Sequence, residues 1–402
     1  MSANPSDPSP LTIQPSLSTP ESSRPVERTK VILTPAESDR RADVEGKHAR
    51  VAELLQEAGA DGLLVLEPEN FAWLTGGGTA RGTLDRAELP ALFYTPEQRG
   101  VLCSNVDSQR LFDEEVNGLG FDVREWPWQL GRKKFLQEFC ADKRYACDQF
   151  YGGLKPVGDQ LRLYRRTLSG FEQACARVLG QIVSHALEAT GRSMKPGELT
   201  EQEVAGQICH RVLHKGAEPI AVGVAADGRS QFYRQAGFTS EIIHRSCVMT
   251  LNARKYGLCV TAGRTLSFGP PDASLEEEQE AACKISATYI ASTWPDALPS
   301  QILTAGRRVY QVAGYEHEWR LGPQGFVTGR APVELALSTQ TDDLFHLGYA
   351  VTWRVGVGAA LSCDTFLITE RGPESITLAE TWPQKKIRVQ GGEFLRPFIL
   401  QR

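Results

Sequence analysis

The stretch that most restricts how this 402-residue chain can fold runs from Tyr349 to Thr369, YAVTWRVGVGAALSCDTFLIT. Val351, Trp353 and Val355 alternate with Thr352 and Arg354, the period-two pattern of a strand with two different faces. Gly356 and Gly358 loosen the chain, and Asp364 to Thr369 reads as a second strand, stopped by Arg371-Gly372-Pro373.

A mass of 44.2 kDa permits large cores, and two domains are the natural expectation. A hydrophobic content of 41% and a charged content of 23% suit a soluble globular protein. The net charge of -5 argues against nucleic acid, and no basic stripe with interleaved aromatics is present. No apolar run approaches the roughly 20 residues needed to span a bilayer, so no membrane association is expected. The N-terminus lacks the basic and apolar regions of a secretory signal. The 9 cysteines are scattered without a C-x-x-C pair, which favours reduced thiols and a cytoplasmic location.

Residues 1–40 are rich in Ser and Pro and poor in large apolar residues, so they read as a disordered tail. Order is expected to begin near Asp43, with Val51, Leu54, Leu55 and Ala58 at helical spacing and Gly59 closing the helix. A short buried strand follows at Leu63–Leu66, then a hairpin from Leu92–Tyr94 and Gly100–Leu102. Alternating helices and strands continue to about Tyr164, giving a first domain over 41–165 and a second over 166–402. Ser169 with Glu172, Thr200 with Glu203, and Ser274 with Glu277 carry the spacing that caps helix N-termini. His210 and His214 lie four apart, a spacing that suits a metal, but no third ligand accompanies them and a solvated or structural role is expected.

The hairpin ending in S-x-D-T-F-L-I-T-E-x-G-P-E resembles the last catalytic hairpin of the creatinase, prolidase and Xaa-Pro aminopeptidase family, the M24 or pita-bread peptidases. The run Pro68-x-Asn70-Phe71-x-Trp73-Leu74-Thr75-Gly76 looks like the opening of that family's N-terminal domain, and Gly263-Arg264-Thr265 echoes one of its metal motifs. The resemblance spans about Asp43 to Thr377. It implies an α/β (α+β) protein: a pita-bread C-terminal domain preceded by a creatinase-like α/β domain, assembled as a homodimer. It also implies that the polar segment Ala225–Phe238 closes over a substrate.

Catalytic members of the family hold two divalent ions such as Mn²⁺ or Co²⁺ with acidic side chains and a histidine, and the ion pair activates a bridging water. Carried over residue by residue, those ligand positions fall on Asn252, Thr261, Pro323 (or Gly322), Arg354 and Cys363. No Asp or Glu lies between Asn252 and Ser267 or between Gly348 and Ser362, so a shift of the alignment does not restore the site. Two like unit charges about 4 Å apart repel by about 4 kcal/mol at an effective dielectric near 20. A dication beside Arg354 fares worse, and no bound metal cofactor is expected.

Three readings stay open at this level. The first is a non-catalytic homologue whose cleft binds a peptide or a small carboxylate or guanidino compound. Its cleft residues would be Arg229, Arg234, Asn252, Thr261, Gln324, Arg354 and Asp364, with Arg354 pairing either Asp364 or a ligand carboxylate. Against this, the period-two pattern also allows Arg354 to face solvent. The second is a metal-free hydrolase like creatinase, for which His317 and Glu334 are the nearest candidates. The third is a thiol enzyme using Cys363 or Cys259, which needs a base within hydrogen-bond reach; a buried inert thiol is the alternative. An active proline-specific metallopeptidase is the reading least compatible with the charges.

Overall fold

The computed structural model describes residues 36–80, 88–390 and 392–402. Its first part is a six-stranded sheet built from β1 (Gly62–Val65), β2 (Ala91–Tyr94), β3 (Arg99–Ser104), β4 (Asp122–Trp126), β5 (Tyr145–Cys147) and β6 (Lys155–Pro156), in the order β4-β3-β2-β1-β5-β6. Around it lie α1 (Glu37–Ala58), α2 (Pro68–Leu74), α3 (Ser108–Arg110), α4 (Gly131–Cys140) and α5 (Gly158–Arg166). Val51, Leu54 and Leu55 of α1 join Leu63, Val65, Leu92 and Val101 in one core. Gly59 ends α1 at φ 63°, the left-handed turn that glycine adopts without strain. The helix begins at Glu37, six residues before the ordered chain was expected to start; the rest of the Ser/Pro-rich segment, residues 1–35, lies outside the described residues.

The second part begins with α6 (Gly170–Ser193) and α7 (Glu201–His214). Ser169 and Thr200 each accept from the backbone three residues on, and Glu172 and Glu203 bond back, so both helices start in the expected capping boxes. Next come β7 (Glu218–Ala226), β8 (Ser246–Lys255), β9 (Leu258–Ser267), α8 (Ala273–Ala291) and α9 (Pro299–Val312). The third box is not formed. Asp272 (φ -59°, ψ 144°) is the last extended residue before α8, which places Ser274 inside the helix, where it cannot cap. The chain then forms β10 (Gly325–Thr328), β11 (Leu335–Ala336), β12 (Ala350–Val357), β13 (Ala360–Thr369), β14 (Gly372–Ser375), β15 (Gln384–Val389), β16 (Gly392–Pro397) and β17 (Leu400–Gln401).

Seven of these strands run β11-β10-β12-β13-β9-β8-β7, with β14 on β13 and β17 on β9, while β15 and β16 pair separately. Every residue of β9 is buried, as a central strand covered on both faces requires. Helices cover one face. Leu179, Val183, Leu187 and Ile208 pack on Met249, Leu251, Val260 and Ala262, and Ile285, Tyr289 and Ile290 pack on Val351, Trp353 and Val355. Trp353 stacks on Tyr289 at 4.6 Å and donates its Nε1–H to Thr293 Oγ1 at 3.0 Å. Trp353 is thereby fixed against the helices, and alternation turns Arg354 to the opposite face.

Candidate functional site: a cleft floored by five strands

Antiparallel partners share a face, and the register aligns one residue from each of five strands. Gly223 of β7 faces Thr250 of β8, and Thr250 faces Gly263 of β9. Gly263 faces Cys363 of β13, and Cys363 faces Arg354 of β12. The row ends at Gln324, whose carbonyl accepts from the Arg354 backbone N–H at 2.8 Å. Above it lies a cavity of about 260 Å³, with Val248, Thr250, Leu361, Arg354, Gly356 and Gln324 in its floor. Ser230, Tyr233, Arg234, Gln235 and Ala236, from the chain joining β7 to β8, form a wall; Glu318, Leu321, Gly322 and Pro323 form another.

Gly223 lets the β7–β8 loop come down on the sheet. A Cβ there would collide with the Ala236 carbonyl oxygen and with Thr250 Oγ1. Glu201, fully buried, ties both ends of the loop. It accepts from Ala226 N (2.7 Å), from Arg229 Nε and Nη2 (2.8 Å each), and from Thr239 N (2.7 Å) and Oγ1 (2.8 Å). Burial alone would raise its pKa, but the Arg229 bond and the three Ala226 and Thr239 donors hold it below the ordinary carboxylate value. Glu201→Ala is expected to cost about 2–3 kcal/mol, the scale of bonds to a charged acceptor, and to expose Arg229 and Arg234 to trypsin. An unchanged limited-proteolysis pattern would contradict the anchoring role.

Two charged groups besides Arg354 border the cavity, and they neutralise each other. Arg234 pairs with Glu318, which is buried, and donates from Nη1 to the Gly358 carbonyl at 2.7 Å. Gln324 is likewise committed, accepting from Tyr310 Oη at 2.8 Å and donating to Gly322 O at 3.0 Å. Arg354 differs from both. Among the described residues its guanidinium has no hydrogen-bond or ion-pair partner.

The other residues singled out from sequence divide by position. Asn252 and Thr261 occupy the neighbouring row of the same face, outside the cavity lining, where Asn252 Nδ2 donates to Thr261 Oγ1 at 2.6 Å. That row continues as a hydroxyl ladder: Thr261 N donates to Thr365 Oγ1 (3.2 Å), and Thr365 Oγ1 lies 2.8 Å from Thr352 Oγ1. Thr250 and Val248, not Asn252, are the β8 residues under the cavity. The alternation of β8 made all three eligible, and only the register across five strands separates them. Asp364 does not belong to the cleft or to Arg354. It follows Cys363 by one residue and so faces the helices, where Arg264 and Arg396 hold it. Arg229 is tied to Glu201 and does not line this cavity.

The catalytic candidates fare similarly. Glu334 is buried in a pair with Arg165 at 2.9 Å, and His317 is an exposed side chain outside the lining. Burial pushes the Cys363 thiol up to about 12, with Arg354 opposing the shift, and burial also raises Cys259 to about 11. His210 and His214 stack on α7 at 6.2 Å. Among the described residues no three His, Cys, Asp or Glu side chains converge as a metal would require. The cleft face offers hydroxyls, one thiol, the unpartnered Asn252 Oδ1 and a guanidinium, a donor set that does not fit a pair of dications.

Residues 174–357 match the family model of metallopeptidase family M24. Over this segment, a little under half of its length, the chain is similar to family M24. The matched residues take in α6 through β12, hence most of the cavity wall and floor. Among solved structures, the prolidase from Pyrococcus horikoshii OT3 superposes with a TM-score of 0.72 at 18% identity, over 83% of this chain and 99% of that one. The X-Pro aminopeptidase from Thermotoga maritima MSB8 gives 0.71 at 17% identity, over 82% and 97%. The N-terminal domain of FACT complex subunit SPT16 from Cicer arietinum gives 0.63 at 14% identity, over 85% and 96%. At these identities the likeness establishes the mixed α/β pita-bread fold. No curated protein matches the chain. No helix among the described residues is long and apolar enough to cross a membrane.

Proposed function

We propose that this chain keeps the Xaa-Pro aminopeptidase and prolidase-like M24 fold but uses its cleft to bind a ligand, without two-metal hydrolysis. The observation that carries the reading is Arg354, an unpaired cation in the cavity floor opposite Cys363. Two dications need several anionic ligands to offset their charge, and they activate water only when so held. Here the row that floors the cleft is Gly, Thr, Gly, Cys and Arg. A guanidinium in that row repels a metal ion, and the nearest carboxylate of the wall, Glu318, is already engaged by Arg234. His317 and Glu334, on which a metal-free hydrolase would draw, do not line the cavity, so binding is the reading adopted.

The expected result is direct. Protein incubated with Mn²⁺ or Co²⁺ and then desalted should carry no stoichiometric metal by mass spectrometry. It should also leave Xaa-Pro dipeptides intact with or without EDTA. Two tightly held ions per chain, or turnover that EDTA abolishes, would overturn the proposal.

A further inference from the structure

We propose that the cavity takes a small monocarboxylate with an apolar body, its carboxylate docked on the Arg354 guanidinium. The inference rests on the binding reading above and specifies the ligand. A half-buried guanidinium without an acceptor is a poor resting state, because burial removes water that would otherwise solvate it. A planar carboxylate answers its paired N–H groups with two oxygens. The Thr250 hydroxyl, in the same row and without a partner of its own, supplies a further donor on the floor.

The rest of the lining sets the remainder of the ligand. Tyr233, Leu321, Pro323, Val248, Leu361 and Ala236 are apolar or aromatic, and they line the cavity together with Arg354. A cavity of about 260 Å³ lies below the usual range for drug-sized ligands, which suits a molecule the size of a capped amino acid. The charge count favours a monoanion. A phosphoryl group carries close to two negative charges near neutral pH, yet among the described residues lining the cavity a single unpaired cation is available, and the Glu318 carboxylate shares the wall.

Calorimetry on the full chain in EDTA tests this with N-acetylleucine, its neutral amide N-acetylleucinamide, and inorganic phosphate. The acid is expected to bind, the amide to bind at least about tenfold more weakly, and phosphate not to displace the acid. Arg354→Met should weaken the acid roughly 10- to 100-fold, the range of a charge-assisted hydrogen bond, and leave the amide unchanged. Arg388→Met, which removes an exposed cation paired with Glu393, should leave both unchanged. If Arg354→Met fails to fold by circular dichroism, Arg354→Lys serves: it keeps the charge but loses the planar fork, so an intermediate affinity is expected. Equal affinity for acid and amide, an unaffected Arg354 variant, or no binding of the acid would overturn the proposal. Those outcomes, if unchanged when Mn²⁺ replaces the EDTA, leave the non-catalytic reading standing, whereas binding of the acid that appears only with Mn²⁺ sinks both.

Discussion

Asp364→Asn should unfold this protein at markedly lower urea, with an expected loss of about 3–5 kcal/mol, the cost of leaving a buried charge without its partner. Asp364 is 1% exposed and lies behind the cleft row. Its Oδ1 accepts from Arg264 Nη1 and Thr377 Oγ1, both at 2.9 Å, and its Oδ2 accepts from Arg396. An asparagine keeps one acceptor but turns an N–H₂ toward one guanidinium. It also takes from Arg396 its carboxylate partner and leaves Arg264 with Glu188, whose Oε1 is 3.8 Å from Arg264 Nε. Since whole domains are stable by only about 5–15 kcal/mol, that loss is a large share. Replacing Arg264, Asp364 and Arg396 together by apolar residues of similar volume should cost far less, because the desolvation of all three charges is then recovered. A single substitution costing under about 1 kcal/mol would contradict the assignment of Asp364 to this cluster.

That cluster explains what the sequence could and could not say about the site. Gly263-Arg264-Thr265 is recognisable as part of a metal motif, yet in β9 the arginine faces the helices and only its neighbours face the cleft. Strand alternation was legible in β12: five letters put Trp353 and Arg354 on opposite faces, without saying which face meets the helices. What alternation cannot supply is the stagger between strands distant in sequence. β8 and β12 are separated by about 100 residues, and the row Thr250, Gly263, Cys363, Arg354 exists only once β9 has paired with β13 at a single position, Cys363 opposite Gly263. For that reason Asn252 was a reasonable but misplaced member of the cleft, and Asp364 was credited to the wrong face.

The capping boxes at Ser169 and Thr200 were readable because their partners lie three residues away. Glu201 was invisible for the opposite reason. Nothing in T-E-Q-E marks the first glutamate as the anchor of a loop 25 to 38 residues further on. Arg229 has an acid two residues away, Asp227, but that carboxylate accepts from the backbone of His244, Arg245 and Ser246, so the long-range partner of Arg229 could not be named without the fold. The pairs Arg165 with Glu334 and Lys47 with Glu172 were hidden in the same way, by sequence separations of 169 and 125.

Glu172 carries the second large effect. It was legible as the helix-capping residue of α6, since its Oε2 accepts from Ser169 N at 2.9 Å. Its Oε1 does something the motif does not announce, joining Lys47 of α1 at 2.7 Å and Arg330 of the turn after β10. All three side chains are buried. Burial by itself would raise the Glu172 pKa, but Lys47 and Arg330 overcome that and hold it at about 2, against an ordinary 4.5. The folded value lies below the unfolded one, so the unfolded chain takes up the proton first as pH falls. The stabilisation from Glu172 is therefore complete above about pH 4.5, declines as pH drops toward 2, and is gone below.

Glu172→Gln removes the anion at every pH. The expected cost near neutrality is about 3–5 kcal/mol, because Arg330 is left buried without a carboxylate. Lys47 keeps Asp43 at 2.5 Å, so the arginine dominates the loss. The difference between the two proteins should then shrink as pH falls from 4.5 to 2, where the wild-type residue is itself protonated in the native state. Urea midpoints at pH 6 and pH 3 separate this from a simple packing defect, which would shift both midpoints equally. Parallel curves at the two pH values would mean that Glu172 contributes its shape and its capping bond, but not its charge, to holding α1, α6 and the β10 turn together.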